Sequence, residues 1–269
     1  MDWMLRSALF VPGDRSERFA KALGCGADAV IVDFEDAVKA DNKAQAREHL
    51  QRFLDAHTQA RVWVRVNTAG HPEHEADLKT CAHAGVEGML LPKAESAAQI
   101  AVVAALGKPV MPIIESAAGL AELAAIATAK GVERLTYGGL DLALDLGMAA
   151  GTAAANRMLD QVRFALLVQS RLAGLKAPLE TVYPALDNAA GLASFARESH
   201  DMGFAGMLCL HPRQVAEVHA ALGPSATELD WARRVLAANT GTGAYQLDGQ
   251  MVDAPVIARA RQLLERYGK

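Results

Sequence analysis

The sequence predicts an α/β fold, a (β/α)₈ TIM barrel, on three observations. Short apolar runs alternate along the chain with segments whose apolar residues have helical spacing. The runs consist of nearly continuous Val, Ile and Leu, which is typical of parallel strands covered on both faces. The β–α unit recurs eight times, as a closed parallel barrel requires. An open, doubly wound sheet is the alternative arrangement of the same units.

The strands and helices of the barrel follow from these runs in order. The predicted strands lie in RSALFVPG from residue 6, ADAVIVDFED from 27, RVWVRVN from 61, GMLLPK from 88, PVMPIIES from 109, ERLTYGG from 133, PLETVYP from 178 and GMLCLHP from 206. The predicted helices span residues 16–23, 43–54, 74–84, 96–106, 117–129, 154–172, 188–202 and 213–222. Several of them start at a Ser or Asp, as helix caps do.

A C-terminal extension follows the eighth unit. It contains a helix over 225–239, the Gly-rich stretch GTGAYQLDGQMVDAP and a last helix over 256–267. The Gly-rich stretch is either a flexible linker or a mobile lid. We therefore expect a barrel over residues 1–222 and a C-terminal extension with a lid over 223–269.

The composition excludes two classes of partner. The chain has 269 residues, 51% of them hydrophobic and 22% charged, with a formal net charge of −4 and no basic run. Nucleic acids and anionic membranes are bound through clustered positive charge, so neither is expected as a partner. Pro12 and Gly13 interrupt the N-terminal apolar run before a signal segment could be completed, and we expect a cytoplasmic protein.

The cysteines indicate no disulfide framework and no zinc site. Cys25, Cys81 and Cys209 are odd in number, far apart and outside any CxxC spacing. We expect them to be small buried side chains.

Ionisable residues follow the predicted strands, where the active sites of barrel enzymes lie. The residues concerned are Asp33, Glu35 and Asp36 after strand 2, Arg65 and Asn67 in strand 3, Lys93 after strand 4, Glu115 after strand 5 and Asp141 after strand 6. Charged groups at the rim of an apolar core require a partner or a metal, because desolvation raises their energy.

Glu115 and Asp141 form a candidate metal site. Two carboxylates from adjacent strands suit Mg²⁺, which takes one or two protein carboxylates and keeps positions for water and substrate. The alternatives are an ion pair for Glu115 and a helix N-cap for Asp141.

Arg65 and Lys93 allow more than one role. Arg65 offers a fixed fork for a carboxylate or an oxyanion, or it forms a structural pair with Asp33, Glu35 or Asp36, and both can be true together. Lys93 could form a Schiff base with a carbonyl substrate, or make a phosphate or surface contact.

Nine short motifs, in order along almost the whole chain, resemble those of one enzyme family. They are RSALFVPG, ADAVIVDFEDAV, RVN, LPKAES, IES, GGLD, TVYP, HPRQ and DGQMVDAP. The sequence is similar to the citrate lyase beta-subunit and HpcH/HpaI aldolase-like lyases, which include malyl-CoA and citramalyl-CoA lyases. It departs from many relatives at Ala185, where they have an aspartate.

This resemblance implies a homo-oligomer, a trimer or a hexamer of trimers, that acts on acyl-CoA thioesters with Mg²⁺. The metal ligands would be Glu115 and Asp141, and Glu115 would also belong to the substrate site. Arg65 would contact the substrate and the thioester oxygen. By position in the motifs, Glu35 and Asp36 would be the acidic pair beside the metal, Asp253 the acid/base on a lid from a neighbouring subunit, and Pro12, Gly13 and Arg15 part of the CoA site.

The predicted reaction is a retro-Claisen cleavage of a 3-hydroxyacyl-CoA to acetyl-CoA and an α-keto acid. Citramalyl-CoA is preferred as the substrate over malyl-CoA and citryl thioesters. Three alternatives stay open: a malyl-CoA thioesterase, a citrate lyase beta-like subunit that needs partner chains, and a Schiff-base aldolase at Lys93.

Overall fold

Eight parallel strands close into a barrel in sequence order, and each strand pairs with the next along the chain. The structure is a computed structural model that describes residues 5–239, 241 and 243–267, without the side chains of 266 and 267. Strand β8 pairs with β1, which closes the sheet and excludes the open alternative. The strands are β1 Ser7–Pro12, β2 Ala29–Asp33, β3 Val62–Arg65, β4 Val86–Leu91, β5 Val110–Ile114, β6 Thr136–Tyr137, β7 Leu179–Glu180 and β8 Gly206–Cys209. The predicted barrel is confirmed.

Large apolar side chains fill the barrel interior. Its core cluster consists of Leu5, Ala8, Ile31, Trp63, Leu90, Met111, Ile113, Leu179 and Leu208. Trp63 needs a glycine on the neighbouring strand, because a Cβ at Gly88 would lie 2.6 Å from the indole ring. The interior is thus a packed core, and charged groups are left to the ends of the strands.

Helices surround the barrel, with bounds close to the predicted ones. They are α1 Phe19–Leu23, α2 Lys43–Ala56, α3 His74–Cys81, α4 Ala97–Ala104, α5 Ala117–Ala121, α6 Leu123–Ala127, α7 Gly139–Asp145, α8 Ala153–Leu172, α9 Ala189–Met202 and α10 Pro212–Leu222. The single helix predicted over 117–129 is wrong, since the backbone leaves the helical region at Glu122 and separates α5 from α6. Helix α7 was not predicted, and it begins immediately after β6.

The chain divides into two compact units, Met1–Ala221 and Leu222–Lys269. The second unit contains α11 Ala226–Ala238, an antiparallel hairpin of β9 Tyr245–Leu247 and β10 Gln250–Val252, and α12 Ala254–Tyr267. Asp248 and Gly249 form its turn with φ of 51° and 79°, as Asp-Gly does in tight hairpins. Residues 245–252 therefore form a hairpin and not the flexible linker that was one of the two predicted alternatives for the Gly-rich stretch.

None of the helices in the described parts of the chain has both the length and the apolarity needed to cross a bilayer.

Candidate active site at the carboxyl ends of the strands

Arg65 lies in a cluster of charged side chains at the carboxyl ends of β2 and β3. Its Nε and Nη2 donate to the two oxygens of the Asp33 carboxylate at 2.7 and 2.6 Å. Its Nη1 lies 2.9 Å from Oε2 of Glu35, and its guanidinium carbon lies 4.9 Å from the centre of the Phe10 ring. Burial lowers the pKa of Arg65, but Asp33 and Glu35 raise it more. The guanidinium is therefore a permanent cation held in one orientation.

Glu35 is a buried carboxylic acid in the loop after β2. Asp33 holds this loop, because its carboxylate accepts the backbone N–H of Glu35 at 2.9 Å. Burial raises the pKa of Glu35, Arg65 lowers it, and the charges of Asp36 and Glu115 raise it again, to about 7. Glu35 can therefore gain or lose a proton near neutral pH. The neighbouring Asp36 is exposed.

Glu115 follows β5 and is also buried. Its Oε1 accepts the backbone N–H of Lys93 at 2.7 Å. Burial raises the pKa of Glu115, the hydrogen bond from Lys93 lowers it, and the charge of Asp141 raises it, to about 7. Gly138 leaves room for the carboxylate, because a Cβ at that position would clash with Oε2.

Asp141 lies in the first turn of α7, where the backbone N–H groups of a helix favour a negative charge. Its side chain is 40% exposed and faces the ammonium group of Lys93, with Oδ1 at 3.6 Å from Nζ. The alternative role considered for Asp141, a helix N-cap, is excluded, because Gly138 has that position.

Glu115 and Asp141 are two carboxylates of the site that could hold a divalent cation. The burial of Glu115 and the charge of Asp141 both disfavour the ionised form of Glu115, and a cation would reverse that effect. Within the described residues, no three His, Cys, Asp or Glu side chains are arranged as a complete metal site. The arrangement suits an ion that takes two protein carboxylates and completes its coordination with water and substrate, as Mg²⁺ does.

The ammonium group of Lys93 lies beside two carboxylates of the site, those of Asp141 and Glu35. Its Nζ lies 3.6 Å from Asp141 and 4.0 Å from Oε1 of Glu35. Burial lowers the pKa of Lys93, but the surrounding carboxylates, first Glu35 and Asp141, raise it above its ordinary value. A Schiff base requires the neutral amine, so this environment disfavours the aldolase role.

A small cavity of about 70 Å³ lies among these groups. Its lining includes Arg65, Glu115 and Asp141, together with apolar atoms of Phe10 and Leu208. A larger cavity of about 830 Å³ lies near Lys108 and Gly131, before β5 and β6, and five of its twelve lining residues are alanine. We place the active site at the small cavity, because Glu115, a buried acid with a raised pKa, lines it together with Arg65 and Asp141.

Comparison with known protein families identifies the family of this chain. The family model described as HpcH/HpaI aldolase/citrate lyase matches residues 6–212, which include every strand of the barrel. The chain belongs to this family.

Two known proteins and one solved structure are similar to this chain over almost their whole length. A citrate lyase subunit beta-like protein of Mycobacterium tuberculosis is 38% identical, over 97% of this chain and 95% of that protein. A (3S)-malyl-CoA thioesterase of Cereibacter sphaeroides is 34% identical, over 97% and 94%. The crystal structure of CitE from M. tuberculosis with magnesium, acetoacetate and coenzyme A has a TM-score of 0.88 and 37% identity, with 98% of each chain covered.

The first βα loop of this HpcH/HpaI chain has mainly structural contacts. Pro12 ends β1, and the backbone N–H of Gly13 donates to the carbonyl of Asp33 at 2.8 Å. A Cβ at Gly13 would lie 2.8 Å from the ring of Phe34, so the loop packs closely against the end of β2. Arg15 is exposed and pairs with Glu17 at 2.7 Å. The CoA contacts expected of Pro12, Gly13 and Arg15 stay a prediction.

Asp253 lies in the second unit, directly before α12. Its Oδ1 accepts the backbone N–H of Val256 at 3.4 Å, and its carbonyl accepts that of Ile257 at 3.0 Å. Within its unit the residue therefore acts as a helix cap. Its role as an acid/base also stays a prediction.

The sequence reasoning missed a buried lysine that holds the loop of Glu35. Lys43 begins α2, and its Nζ donates to the carbonyls of Phe34 and Glu35 at 2.7 and 2.9 Å. It also donates to Oδ1 of Asn67 at 2.6 Å. A lysine that opens a predicted surface helix carries no sequence signal of this role.

A second buried network, also missed, ties β6 to β7. Glu180 is completely buried and accepts the hydroxyl of Tyr137. It also accepts Nε of Arg163 at 2.8 Å and the hydroxyl of Ser199 at 3.1 Å. The charged residue inside the apolar run PLETVYP was the available signal, since a buried carboxylate requires such partners.

Proposed function

We propose that this protein is a Mg²⁺-dependent carbon–carbon lyase that cleaves a 3-hydroxyacyl-CoA thioester to acetyl-CoA and an α-keto acid. The observation that carries the proposal is that the fixed guanidinium of Arg65 lines one small cavity with Glu115 and Asp141 and pairs with the buried Glu35. Family membership and the magnesium and coenzyme A bound to the related CitE support it.

The residues fit the ion that the proposal requires. Glu115 and Asp141 would hold Mg²⁺, since they are hard oxygen ligands whose mutual repulsion a cation relieves. The bound ion would supply Lewis-acid polarisation of the hydroxyl and carboxylate oxygens of the substrate.

Glu35 would accept the proton of the substrate hydroxyl. Its pKa of about 7 lets it take up a proton without a large free-energy cost at neutral pH. Loss of this proton turns the hydroxyl carbon into the keto carbon as the C–C bond breaks, and the thioester fragment leaves as an enolate. Asp36, adjacent and exposed, adds negative charge that keeps the proton affinity of Glu35 high.

Arg65 would bind the thioester oxygen and stabilise the enolate. Asp33 fixes two of its nitrogens, so the guanidinium needs no rearrangement when the charge develops. Protonation of the enolate carbon then gives acetyl-CoA, and we propose Asp253 of a neighbouring subunit as the donor. This role requires the homo-oligomer, a trimer or hexamer, which light scattering of the purified protein would measure.

Citramalyl-CoA is the proposed substrate, with malyl-CoA second. The two differ by a methyl group, which an apolar lining distinguishes by about 1 to 3 kcal/mol. The lining of the small cavity near the carboxylates is partly apolar, with Phe10, Ile113 and Leu208. This favours the substrate with the additional methyl group.

A malyl-CoA thioesterase is the second candidate. A (3S)-malyl-CoA thioesterase is 34% identical over 97% of this chain, and the same arginine and metal site would serve attack by water on the thioester. A beta-like subunit of citrate lyase, dependent on partner chains, is the third, on the 38% identity to a beta-like protein.

One assay separates these candidates. The purified protein is incubated with citramalyl-CoA or malyl-CoA, with Mg²⁺ or EDTA, and keto acid and free thiol are followed separately. The proposal predicts keto acid in the presence of Mg²⁺ only, without free thiol. Free thiol without keto acid would identify a thioesterase, and inactivity of the isolated chain would indicate a partner-dependent subunit.

A further inference from the structure

Lys93 interacts with three of the acidic residues of the site, Glu35, Glu115 and Asp141. Its backbone N–H donates to Glu115 at 2.7 Å. Its ammonium group lies between Asp141, at 3.6 Å, and Glu35, at 4.0 Å. Neither of these ammonium distances is short enough for a hydrogen bond, so the group acts on both carboxylates mainly through its charge.

The backbone of Lys93 has an unusual conformation that serves this arrangement. Its φ is 46°, and Asp248 in the hairpin turn is the only other described residue besides glycine with a positive φ. A left-handed conformation is unfavourable for a lysine and persists where the surrounding structure imposes it. Here it directs the N–H towards Glu115, while the side chain extends from the same residue towards Asp141 and Glu35.

We infer that Lys93 is a positioning residue that neutralises the carboxylate cluster when no divalent cation is bound, and that it thereby sets the affinity of the site for Mg²⁺. The inference rests on the proposed function, because it takes Glu115 and Asp141 as the metal ligands. It assigns Lys93 a role other than covalent chemistry.

The electrostatic consequence has two parts. Without the metal, the ammonium charge offsets the repulsion among Glu35, Glu115 and Asp141. With the metal, the same charge lies beside the ligands of a dication and repels it. Removal of the ammonium group should therefore make Mg²⁺ bind more tightly and make the metal-free protein less stable.

A simple surface ion pair would behave differently. Lys176 forms such a pair with Glu133 at 3.3 Å, and its side chain is 41% exposed, against 43% for Lys93. Lys176 precedes β7, at the other end of the strands, and pairs with a single carboxylate. Its replacement is a matched control for the loss of one half-exposed lysine charge.

The test is calorimetric titration of Mg²⁺ into EDTA-stripped, full-length protein without substrate. At low ionic strength we expect Lys93→Met to bind Mg²⁺ about tenfold more tightly than the wild type, because the ammonium charge beside the ligands repels a dication even through water. Lys93→Arg keeps the charge and should stay close to the wild type, as should Lys176→Met. Lys93→Gly removes the charge but accepts the left-handed backbone without strain, and it should show the same tighter binding as Lys93→Met.

Thermal unfolding provides the second measurement. Metal-free Lys93→Met should unfold at a lower temperature than the metal-free wild type, and saturating Mg²⁺ should raise its unfolding temperature by more than that of the wild type. Unchanged or weaker Mg²⁺ binding in both Lys93→Met and Lys93→Gly, with normal binding by the wild type, would overturn the inference alone. Glu115→Gln is expected not to bind Mg²⁺. If the wild type also fails to bind it, the metal assignment fails, and the inference fails with it.

Discussion

At the scale of single residues, the chemistry of the site depends on the space around each carboxylate and on the charges of its neighbours. Glu115 is buried against Gly138, whose missing side chain is the space that Oε2 occupies. The φ of Gly138, −101°, is one that alanine also adopts. The requirement for glycine at this position therefore comes from the Glu115 carboxylate and not from the backbone. The adjacent Gly139 has more space around it, because a Cβ at this position would lie 3.3 Å from its nearest neighbour, Thr181 Cγ2.

These two glycines give a matched pair of substitutions. Gly138→Ala should displace the carboxylate of Glu115 and weaken Mg²⁺ binding by about 10- to 100-fold, as changes beside metal ligands do. Gly139→Ala should leave Mg²⁺ binding close to that of the wild type. Calorimetric titration of Mg²⁺, with circular dichroism to verify the fold, measures both. Equal affinities in the two variants would contradict the assignment of Glu115 as a ligand.

At the scale of elements, the end of β2 is held by partners from other parts of the chain. Lys43 from α2 donates to the carbonyls of Phe34 and Glu35, and Oδ2 of Asp77 from α3 accepts from the backbone N–H and the side-chain amide of Asn67, at 2.8 and 2.6 Å. The loop that carries Glu35 is thus held by a buried lysine and by Asp33, and not by regular secondary structure.

Lys43→Met should therefore destabilise the protein. The substitution leaves three buried acceptors without their donor, and we expect the free energy of unfolding to fall by about 3 kcal/mol. Lys79→Met is the control, since Lys79 pairs with Glu75 on an exposed helix face and should cost less than about 0.5 kcal/mol. Urea denaturation of both variants measures the difference. An unchanged midpoint for Lys43→Met would show that the loop does not depend on this lysine.

The strands and helices also show which parts of the structure the sequence alone predicts. The apolar runs predicted all eight strands, and their order predicted which residues lie at the carboxyl end, because the hydrophobic pattern is a local property of the sequence. Helix α7, of seven residues, was too short to show a periodic pattern, and the break at Glu122 has no Gly or Pro to mark it. The left-handed backbone of Lys93 and the contacts of Lys43 depend on tertiary partners that no local pattern contains.

At the scale of the whole molecule, the active site lowers stability in the absence of metal. Glu35 and Glu115 have a pKa of about 7 in the folded protein, whereas their ordinary value is 4.5. Between these values the folded state binds more protons than the unfolded state, so stability decreases as the pH rises from about 4.5 to about 7. Above and below this window the two groups add no pH dependence.

Denaturation in EDTA across this pH range tests the effect. The two acids together should lower the free energy of unfolding of the wild type by on the order of 2 kcal/mol or more between pH 4.5 and 7. Glu115→Gln removes one of the groups and should have a shallower decrease, and Mg²⁺ should raise the stability of the wild type above pH 7 but not that of Glu115→Gln. Parallel pH profiles for the two proteins would argue against a raised pKa of Glu115.

The central claim is that Glu115 and Asp141 hold the ion for carbon–carbon cleavage beside Arg65. Its most direct test is the rate of pyruvate formation from citramalyl-CoA with saturating Mg²⁺, compared between the wild type, Glu115→Gln and Asp141→Asn. We expect metal-dependent pyruvate from the wild type and losses of at least about 100-fold in both variants, with both variants folded as judged by circular dichroism. Pyruvate formation at the wild-type rate in either well-folded variant would contradict the account.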